Sequence, residues 1–239
     1  MIKKKIFLPS QNGRGNDPFY ERLVYLQAED ETIIQGNIDI DDEEKVAGLA
    51  GISMAVAFGE DMGTTVDELV EGNVIDFIAP AWTSKNSPEQ WAELILQSRD
   101  ALVSSDPEDL QDQFLQLVQE SPLYGTHWFY VYKLETHPSV MVPPAVRALP
   151  REIILGYNAY GMHVYNLKRE LLVSFTYNDD IRRWGGSPSQ FSLFMADPSM
   201  PDFFEFVVIT GQAADMAAII SDHFRAIMAV QETEETKGK

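Results

Sequence analysis

Residues able to carry out chemistry are few in this sequence, and they do not occur at catalytic spacings. The four histidines, His127, His137, His163 and His223, show no paired spacing of the H-E-x-x-H kind. Isolated histidines are usually ordinary strand or helix residues, so the sequence predicts no metal site. Cysteine is absent, which excludes disulfides, thiolate nucleophiles and cysteine-bound zinc.

Three short segments resemble functional loops but depart from them at the positions that matter. The acidic run from Asp39 to Glu44 could begin a calcium-binding loop. However, the sequence has neither the glycine required at position six nor the glutamate required at position twelve of such a loop. Ser53 lies within a helical pattern, whereas the serine of a nucleophile elbow follows a strand. The GRG at 13–15 lacks the preceding strand and the Lys-Ser/Thr pair of a phosphate-binding loop. We therefore predict a non-enzymatic protein without catalytic residues, metal or cofactor.

The charge of the chain is strongly acidic and unevenly distributed. The formal net charge is −19; residues 1–122 contain 8 Lys and Arg against 24 Asp and Glu, whereas residues 123–239 contain 10 against 13. The first half repels nucleic acid and anionic lipid at long range, so nucleic-acid binding is disfavoured. No apolar run approaches the roughly 18 residues needed to span a membrane, and the apolar stretch at the N-terminus is too short for a signal peptide. We expect a cytoplasmic location.

The elements that would position a binding site begin with helices whose ends are recognisable. Asp17-Pro18 places an N-cap before a proline at the first helical position. The acidic run described above suits the start of a second helix, which ends at Gly59. Ser87 to Gln90 has the pattern of a capping box. Asp106-Pro107 repeats the N-cap and proline pair seen at Asp17-Pro18. Residues 17–122 are therefore predicted to form a bundle of four or five helices.

The period of the apolar residues changes from about 3.6 to 2 within Ser121–Lys133, SPLYGTHWFYVYK. Pro122 and Gly125 punctuate this segment as turn residues do. The alternation that follows predicts seven strands, at 126–135, 151–157, 161–167, 171–177, 180–186, 190–196 and 203–209. From Gly211 the helical period returns in one long amphipathic helix, and residues 231–239 are predicted to be a disordered tail.

Short matches to one known family occur in order along the chain. They are Tyr25, Gln27, Asp30 and Gly36 on the first helix, Leu49-Ala50 to Gly59 on the second, the entry Ser87 to Trp91, and Tyr124-Gly125 before the first strand. Together they resemble the middle and third lobes of a FERM domain, of the kind found in the tails of unconventional myosins and of the plant calmodulin-binding kinesin. The resemblance covers about residues 3–230.

The resemblance implies an α+β fold in two lobes. A helical bundle like acyl-CoA-binding protein would occupy 17–122, and a PH/PTB-like seven-stranded antiparallel β-sandwich, capped by a C-terminal helix, would occupy 123–230. FERM domains begin with a ubiquitin-like lobe, and no strand-rich segment precedes Phe19 here. Residues 1–16 are therefore expected to be a basic lead-in and linker from that lobe, and the chain is either a fragment or a two-lobed form.

The resemblance also implies where partners bind. In this superfold, partners add a strand or insert a helix at the sheet edge beside the last helix. The partner-binding residues predicted here are Ile181, Arg182, Arg183, Trp184, Gln212, Met216, Ile220 and His223. The two arginines would pair with an acidic or carboxylate-bearing ligand. The alternative interpretation is a solvated strand edge with Trp184 in the core.

By resemblance, the function would be that of a protein-interaction module in a cytoskeletal motor tail, associated with the cytoskeleton. It would bind cargo or receptor cytoplasmic peptides, microtubules or the parent motor head, and contribute to motor autoinhibition. A phosphoinositide-reading adaptor is the alternative, with Lys168 and Arg169 as weak lipid candidates. Two cations fall short of the usual four to eight, so membrane contact is expected to be weak or indirect. A third hypothesis is an acyl ligand in the helical lobe.

Overall fold

A computed structural model of the protein describes residues 18–38, 40, 42–59, 65–99, 102, 106–134, 140–177 and 179–237. The chain divides into two compact units, which we call the helical unit, up to Tyr124, and the sheet unit, from Gly125 onwards. Each unit has a hydrophobic core of its own. The lead-in predicted at 1–16 lies outside the described residues, as does His137.

The described part of the helical unit contains five α-helices. They are α1 (Pro18–Glu29), α2 (Glu43–Phe58), α3 (Val66–Glu71), α4 (Pro88–Arg99) and α5 (Pro107–Gln119). A π-helical turn, Asp30–Ile34, extends α1, and a 3-10 turn, Val74–Phe77, follows α3. The predicted helical bundle is therefore confirmed, and α3 is the helix that the periodicity did not indicate.

The helices begin and end where local side chains satisfy the terminal backbone groups. The Asp42 carboxylate accepts a hydrogen bond from the Glu44 N–H at the start of α2, and Gly59, with φ of 55°, ends that helix. The capping box before α4 is complete: the Gln90 N–H donates to Ser87 Oγ at 3.3 Å, and the Ser87 N–H donates to Gln90 Oε1 at 2.9 Å.

The sheet unit contains seven antiparallel strands, as predicted, with ends within two residues of the predicted ones. They are β1 (His127–Lys133), β2 (Glu152–Asn158), β3 (Gly161–Tyr165), β4 (Leu171–Thr176), β5 (Ile181–Ser187), β6 (Gln190–Met195) and β7 (Phe204–Ile209). The strands form one hydrogen-bonded sheet in the order β4-β3-β2-β1-β7-β6-β5. A short helix, α6 (Pro144–Ala148), lies between β1 and β2, and α7 (Ala213–Lys237) follows β7. The free edges of the sheet are therefore β4 and β5.

The core of the sheet unit lies between the inner face of the sheet and α7. Alternate strand residues such as Val131, Leu155 and Leu193 are buried there together with Met216 and Ile220 of α7. The β2–β3 turn depends on Gly161, because a Cβ at this position, with φ of 148°, would lie 2.0 Å from the Phe175 carbonyl oxygen. This is the PH/PTB-like lobe that the sequence predicts.

The C-terminal end of α7 differs from the prediction. The helix continues to Lys237, so residues 231–237, predicted to be a disordered tail, are helical in the structure. Gln, Glu and Lys have high intrinsic helix propensity, and extending a helix that is already nucleated costs little. Composition alone therefore predicts disorder at a place where the structure has a helix.

Candidate functional site

The two free edges of the sheet differ in how far a partner can reach their backbone. At β4, the Thr176 N–H donates to the Asp180 carboxylate at 2.6 Å, and the Thr176 carbonyl accepts from the Asp180 N–H at 3.2 Å. The β3–β4 register shifts at Tyr165, which leaves Leu172 as an extra residue in a bulge. A bulge and a local cap are devices that blunt a sheet edge, so the stretch of β4 that an added strand could reach is shortened at both ends.

The other edge strand, β5, is open along its middle. Ser187 pairs with Gln190 across a two-residue turn, and in such hairpins the flanking residues exchange hydrogen bonds. By alternation, the N–H and C=O groups of Trp184 and Gly186 point away from β6. No hydrogen bond between the described parts of the backbone reaches these groups from outside the sheet. They are therefore available to an added strand.

Side chains of α7 form the wall beside this open stretch. The Trp184 indole N–H donates to Ser221 Oγ at 3.2 Å, and the Trp184 ring stacks on Phe224 with 4.8 Å between centroids. Ala217, Ser221 and Phe224 are half-buried along one side of α7, and Met228, 48 % exposed, continues that side. We call Trp184 and Gly186 with these four residues the β5–α7 edge.

Four of the residues predicted to bind a partner reach the surface. Trp184 is half-buried, which is intermediate between a partner-binding residue at the surface and a residue of the core. Gln212 is exposed. Arg182 is the extra residue of a bulge in β5 and donates to the Asp179 carbonyl at 2.9 Å. Arg183 lies over the Phe194 ring, 3.8 Å from its centroid, on the outer face of the sheet. A contact of Arg182 or Arg183 with a carboxylate-bearing ligand stays a prediction.

The other four predicted residues, Ile181, Met216, Ile220 and His223, are buried in the core of the sheet unit. Met216, Ile220 and His223 are spaced at four and three along α7, which places them together on the side that faces the sheet. His223 stacks on Tyr177 with 5.7 Å between ring centroids. The structure therefore places none of these four side chains on an exposed edge, and a partner-binding role for them stays a prediction. Strong apolar periodicity marks the buried side of a helix, not its accessible side.

The residues that the sequence interpretation missed are Ala217, Ser221, Phe224 and Met228. Their spacing of four, three and four residues was a readable helical signal. Ala217 and Ser221 have no apolar or charged feature that would single out this side of the helix.

The lipid candidates lie at the β3–β4 turn. The Asn166 side chain accepts hydrogen bonds from the N–H groups of Lys168 and Glu170, at 2.9 and 3.0 Å. Arg169, with φ of 63°, lies over the Trp128 ring at 5.5 Å from its centroid. The turn is held locally on the sheet, and a lipid role for it stays a prediction.

In the described part of the chain, no group of three or more His, Asp or Glu residues could hold a metal ion, and no helix is long and apolar enough to cross a membrane. Ser53 is buried in the middle of α2, where its Oγ donates to the Glu29 carboxylate. Since no strand precedes it, Ser53 is not at a nucleophile elbow.

Comparison with known proteins agrees with this architecture. A family model described as the FERM central domain matches residues 10–129, half of the chain. The chain belongs to the FERM family. A model described as the PTB domain (IRS-1 type) matches residues 141–228, which include β5 and most of α7.

The curated relative that this FERM chain matches is a longer protein. It is 26 % identical over 172 residues to FERM domain-containing protein B of Dictyostelium discoideum, which covers 72 % of this chain and 34 % of that protein. The chain thus spans about a third of the length of this curated relative.

Solved structures share the fold at low sequence identity. The MyTH4-FERM MF2 domain of Dictyostelium discoideum myosin VII, in a mutant form, has a TM-score of 0.72 at 17 % identity and covers 92 % of this chain and 42 % of its own. The C-terminal MyTH4-FERM domain of human myosin 7b, in complex with the harmonin-a PDZ3 domain, gives 0.69 at 18 %, over 94 % and 42 %. The complex of the FERM and C-terminal domains of Drosophila Merlin gives 0.68 at 16 %, over 97 % and 72 %. At these identities the likeness shows the fold alone.

Proposed function

We propose that this FERM chain is a non-enzymatic protein-interaction module and that its β5–α7 edge binds an extended peptide of a partner protein. The observation that carries the proposal is the contrast between the two sheet edges. Asp180 caps one end of β4 and a bulge interrupts the other, whereas the backbone of Trp184 and Gly186 is accessible in the middle of β5. A peptide added there would form main-chain hydrogen bonds with β5 and place alternate side chains against α7.

The partners that we propose are cytoplasmic peptides of cargo or receptors, within a cytoskeleton-associated motor tail. Two of the solved structures support this class of function: myosin 7b is in complex with a PDZ domain, and Merlin with its own C-terminal domain. The second of these supports the further proposal that the module contributes to autoinhibition by binding another part of its own protein. A kinesin parent, microtubule binding and contact with the motor head stay predictions.

The experiment is a selection of binding peptides from a displayed random library, followed by affinity measurement with the full chain. Met228→Glu adds a charge to the β5–α7 edge. We expect it to lower the affinity for selected peptides by about tenfold or more, which is roughly 1.4 kcal/mol of binding free energy. The matched control is Tyr160→Glu, at a side chain that is 58 % exposed in the β2–β3 turn. Equal affinity of the wild type and Met228→Glu would show that the peptides bind elsewhere.

The acid preference of the site is tested separately. Charge reversal of Arg182 and Arg183 should reduce the affinity of acidic peptides while neutral peptides keep theirs. Circular dichroism checks that each variant is folded. If acidic and neutral peptides respond equally, these arginines have no part in ligand choice.

A further inference from the structure

A group of polar aromatic side chains lies at one corner of the core of the sheet unit. Tyr157 is near the end of β2, Tyr177 directly follows β4, and His223 is in the middle of α7; each is at most 2 % exposed. The Tyr177 ring stacks on His223 with 5.7 Å between centroids, and the His127 ring lies 6.2 Å from that of His223. His127 is in turn the Cα partner of Tyr157. We call these four residues the polar corner.

Neither tyrosine hydroxyl of the polar corner is hydrogen-bonded within the described part of the chain. Burial raises the pKa of both tyrosines, and the charge of an ionised Tyr177 nearby would raise the pKa of Tyr157 further. Both hydroxyls are therefore neutral, and they are close enough to each other to interact electrostatically. Each can donate one hydrogen bond and accept others.

The rings that surround these hydroxyls offer them no hydrogen bond. Phe129 packs edge-on against Tyr157 with 5.8 Å between ring centroids, and Phe224 packs edge-on against Tyr177 with 5.5 Å. A hydroxyl that leaves water for such a place without a hydrogen bond destabilises the fold. Native proteins therefore pair nearly all of their buried polar groups, and ordered internal water is the partner where the protein supplies none.

We propose that the polar corner binds an internal water molecule, which hydrogen-bonds to the hydroxyls of both Tyr157 and Tyr177. A buried water needs about two to four polar partners; the hydroxyls supply two, and the imidazole of His223 lies beside them. The water would join β2 to the end of β4 beneath α7. Phe224 packs on Tyr177 and also on Trp184 of the β5–α7 edge, but the proposal does not depend on a peptide binding at that edge.

The first test counts the long-lived internal water molecules of the full chain by ¹⁷O magnetic relaxation dispersion, a signal to which hydroxyl protons do not contribute. The wild type should hold about one more such water than the double variant Tyr157→Phe with Tyr177→Phe, which keeps both rings and loses both hydroxyls. The matched control is Tyr160→Phe, at an exposed side chain, which should keep the wild-type number. Equal numbers in the wild type and the double variant would overturn the proposal.

Thermal unfolding, followed by near-UV circular dichroism, distinguishes a bound water from hydroxyls without a partner. Tyr157→Phe and Tyr177→Phe should each lower the midpoint temperature by about 2 °C or more, because each loses a hydrogen bond to the water. The double variant should lose less than the sum of the two, because both hydroxyls share one partner.

Two outcomes of the unfolding experiment would overturn the proposal. A higher midpoint temperature in the single variants would show that the hydroxyls have no partner in the folded protein, because removing an unpaired buried hydroxyl is stabilising. A lower midpoint temperature together with an unchanged water count in the double variant would show that the two hydroxyls bond directly to each other.

Discussion

At the scale of residues, His163 has a structural role in a network of hydrogen bonds between strands. The Tyr160 N–H donates to Asn158 Oδ1, which fixes the orientation of that amide. His163 Nε2, at 3.1 Å from the same oxygen, must then carry the proton, and Nδ1 accepts from Ser174 Oγ at 2.9 Å. Asn158 also donates to Thr126 at 3.1 Å. The network links β4, β3 and β2 to the residue before β1.

This network predicts a pH dependence of stability. Burial lowers the pKa of His163 below its ordinary value near 6.5. The unfolded chain therefore takes up a proton at a pH where the folded chain does not, and stability is lost as the pH falls through that range. We expect the free energy of unfolding, measured by urea denaturation, to fall between about pH 7.5 and 5.5, and to fall less in His163→Gln. The same decrease in both proteins would contradict this role.

At the scale of elements, β5 packs tightly on α7 at one glycine and is open at the next. A Cβ at Gly186 would lie 2.5 Å from the Gln190 carbonyl oxygen and 3.2 Å from the Ala213 Cβ, whereas a Cβ at Gly185 would have no atom within 4 Å. The edge strand is therefore fixed against the helix at Gly186. Its backbone nevertheless remains accessible on the side away from β6.

The two glycines make a matched pair for a stability measurement. Gly186→Ala should lower the free energy of unfolding by about 1 to 3 kcal/mol, because the backbone or α7 must shift. Gly185→Ala should stay within about 0.5 kcal/mol of the wild type. Chemical denaturation of both variants checks this. Equal effects would show that β5 and α7 are not closely packed at this position.

The elements also show what the sequence could and could not predict. Alternation located all seven strands, because each has one buried face, and the capping pairs at Ser87 and Gln90 located a helix start. The six-residue helix α3 was missed although Thr65 and Glu68 form a capping box, since so short an element has little periodicity. On α7, apolar periodicity marks the side that faces the sheet, whereas the side that stays accessible depends on the packing of distant strands.

At the scale of the whole molecule, the chain is two units with separate cores and different charge. Trp91, Phe114 and Tyr25 are buried in the helical unit, and Tyr157, Phe191 and Phe206 in the sheet unit. The acidic excess lies in the helical half of the sequence. The order of the segments was sufficient to predict this family and the two-lobed fold. It was not sufficient for the proposed site, which depends on which backbone groups stay unpaired at one sheet edge.

Separate cores predict that the sheet unit folds without the helical unit. Residues 125–239, expressed alone, should unfold cooperatively, since a chain of this length normally encloses a sufficient core. Near-UV circular dichroism during thermal unfolding would test this through the buried aromatic residues. A broad transition without a near-UV signal would show that the sheet unit depends on the rest of the chain.

If partners add to β5 and not to β4, amide hydrogen exchange of the two edge strands should differ. Exchange would be measured by NMR for the full chain, free and saturated with a selected peptide. We expect the amides of Trp184 and Gly186 to exchange about tenfold more slowly in the complex, because the peptide accepts their hydrogen bonds, while Ser174 of β4 is unchanged. Unaltered exchange at Trp184 and Gly186 in the saturated complex, or protection at Ser174 instead, would contradict the account.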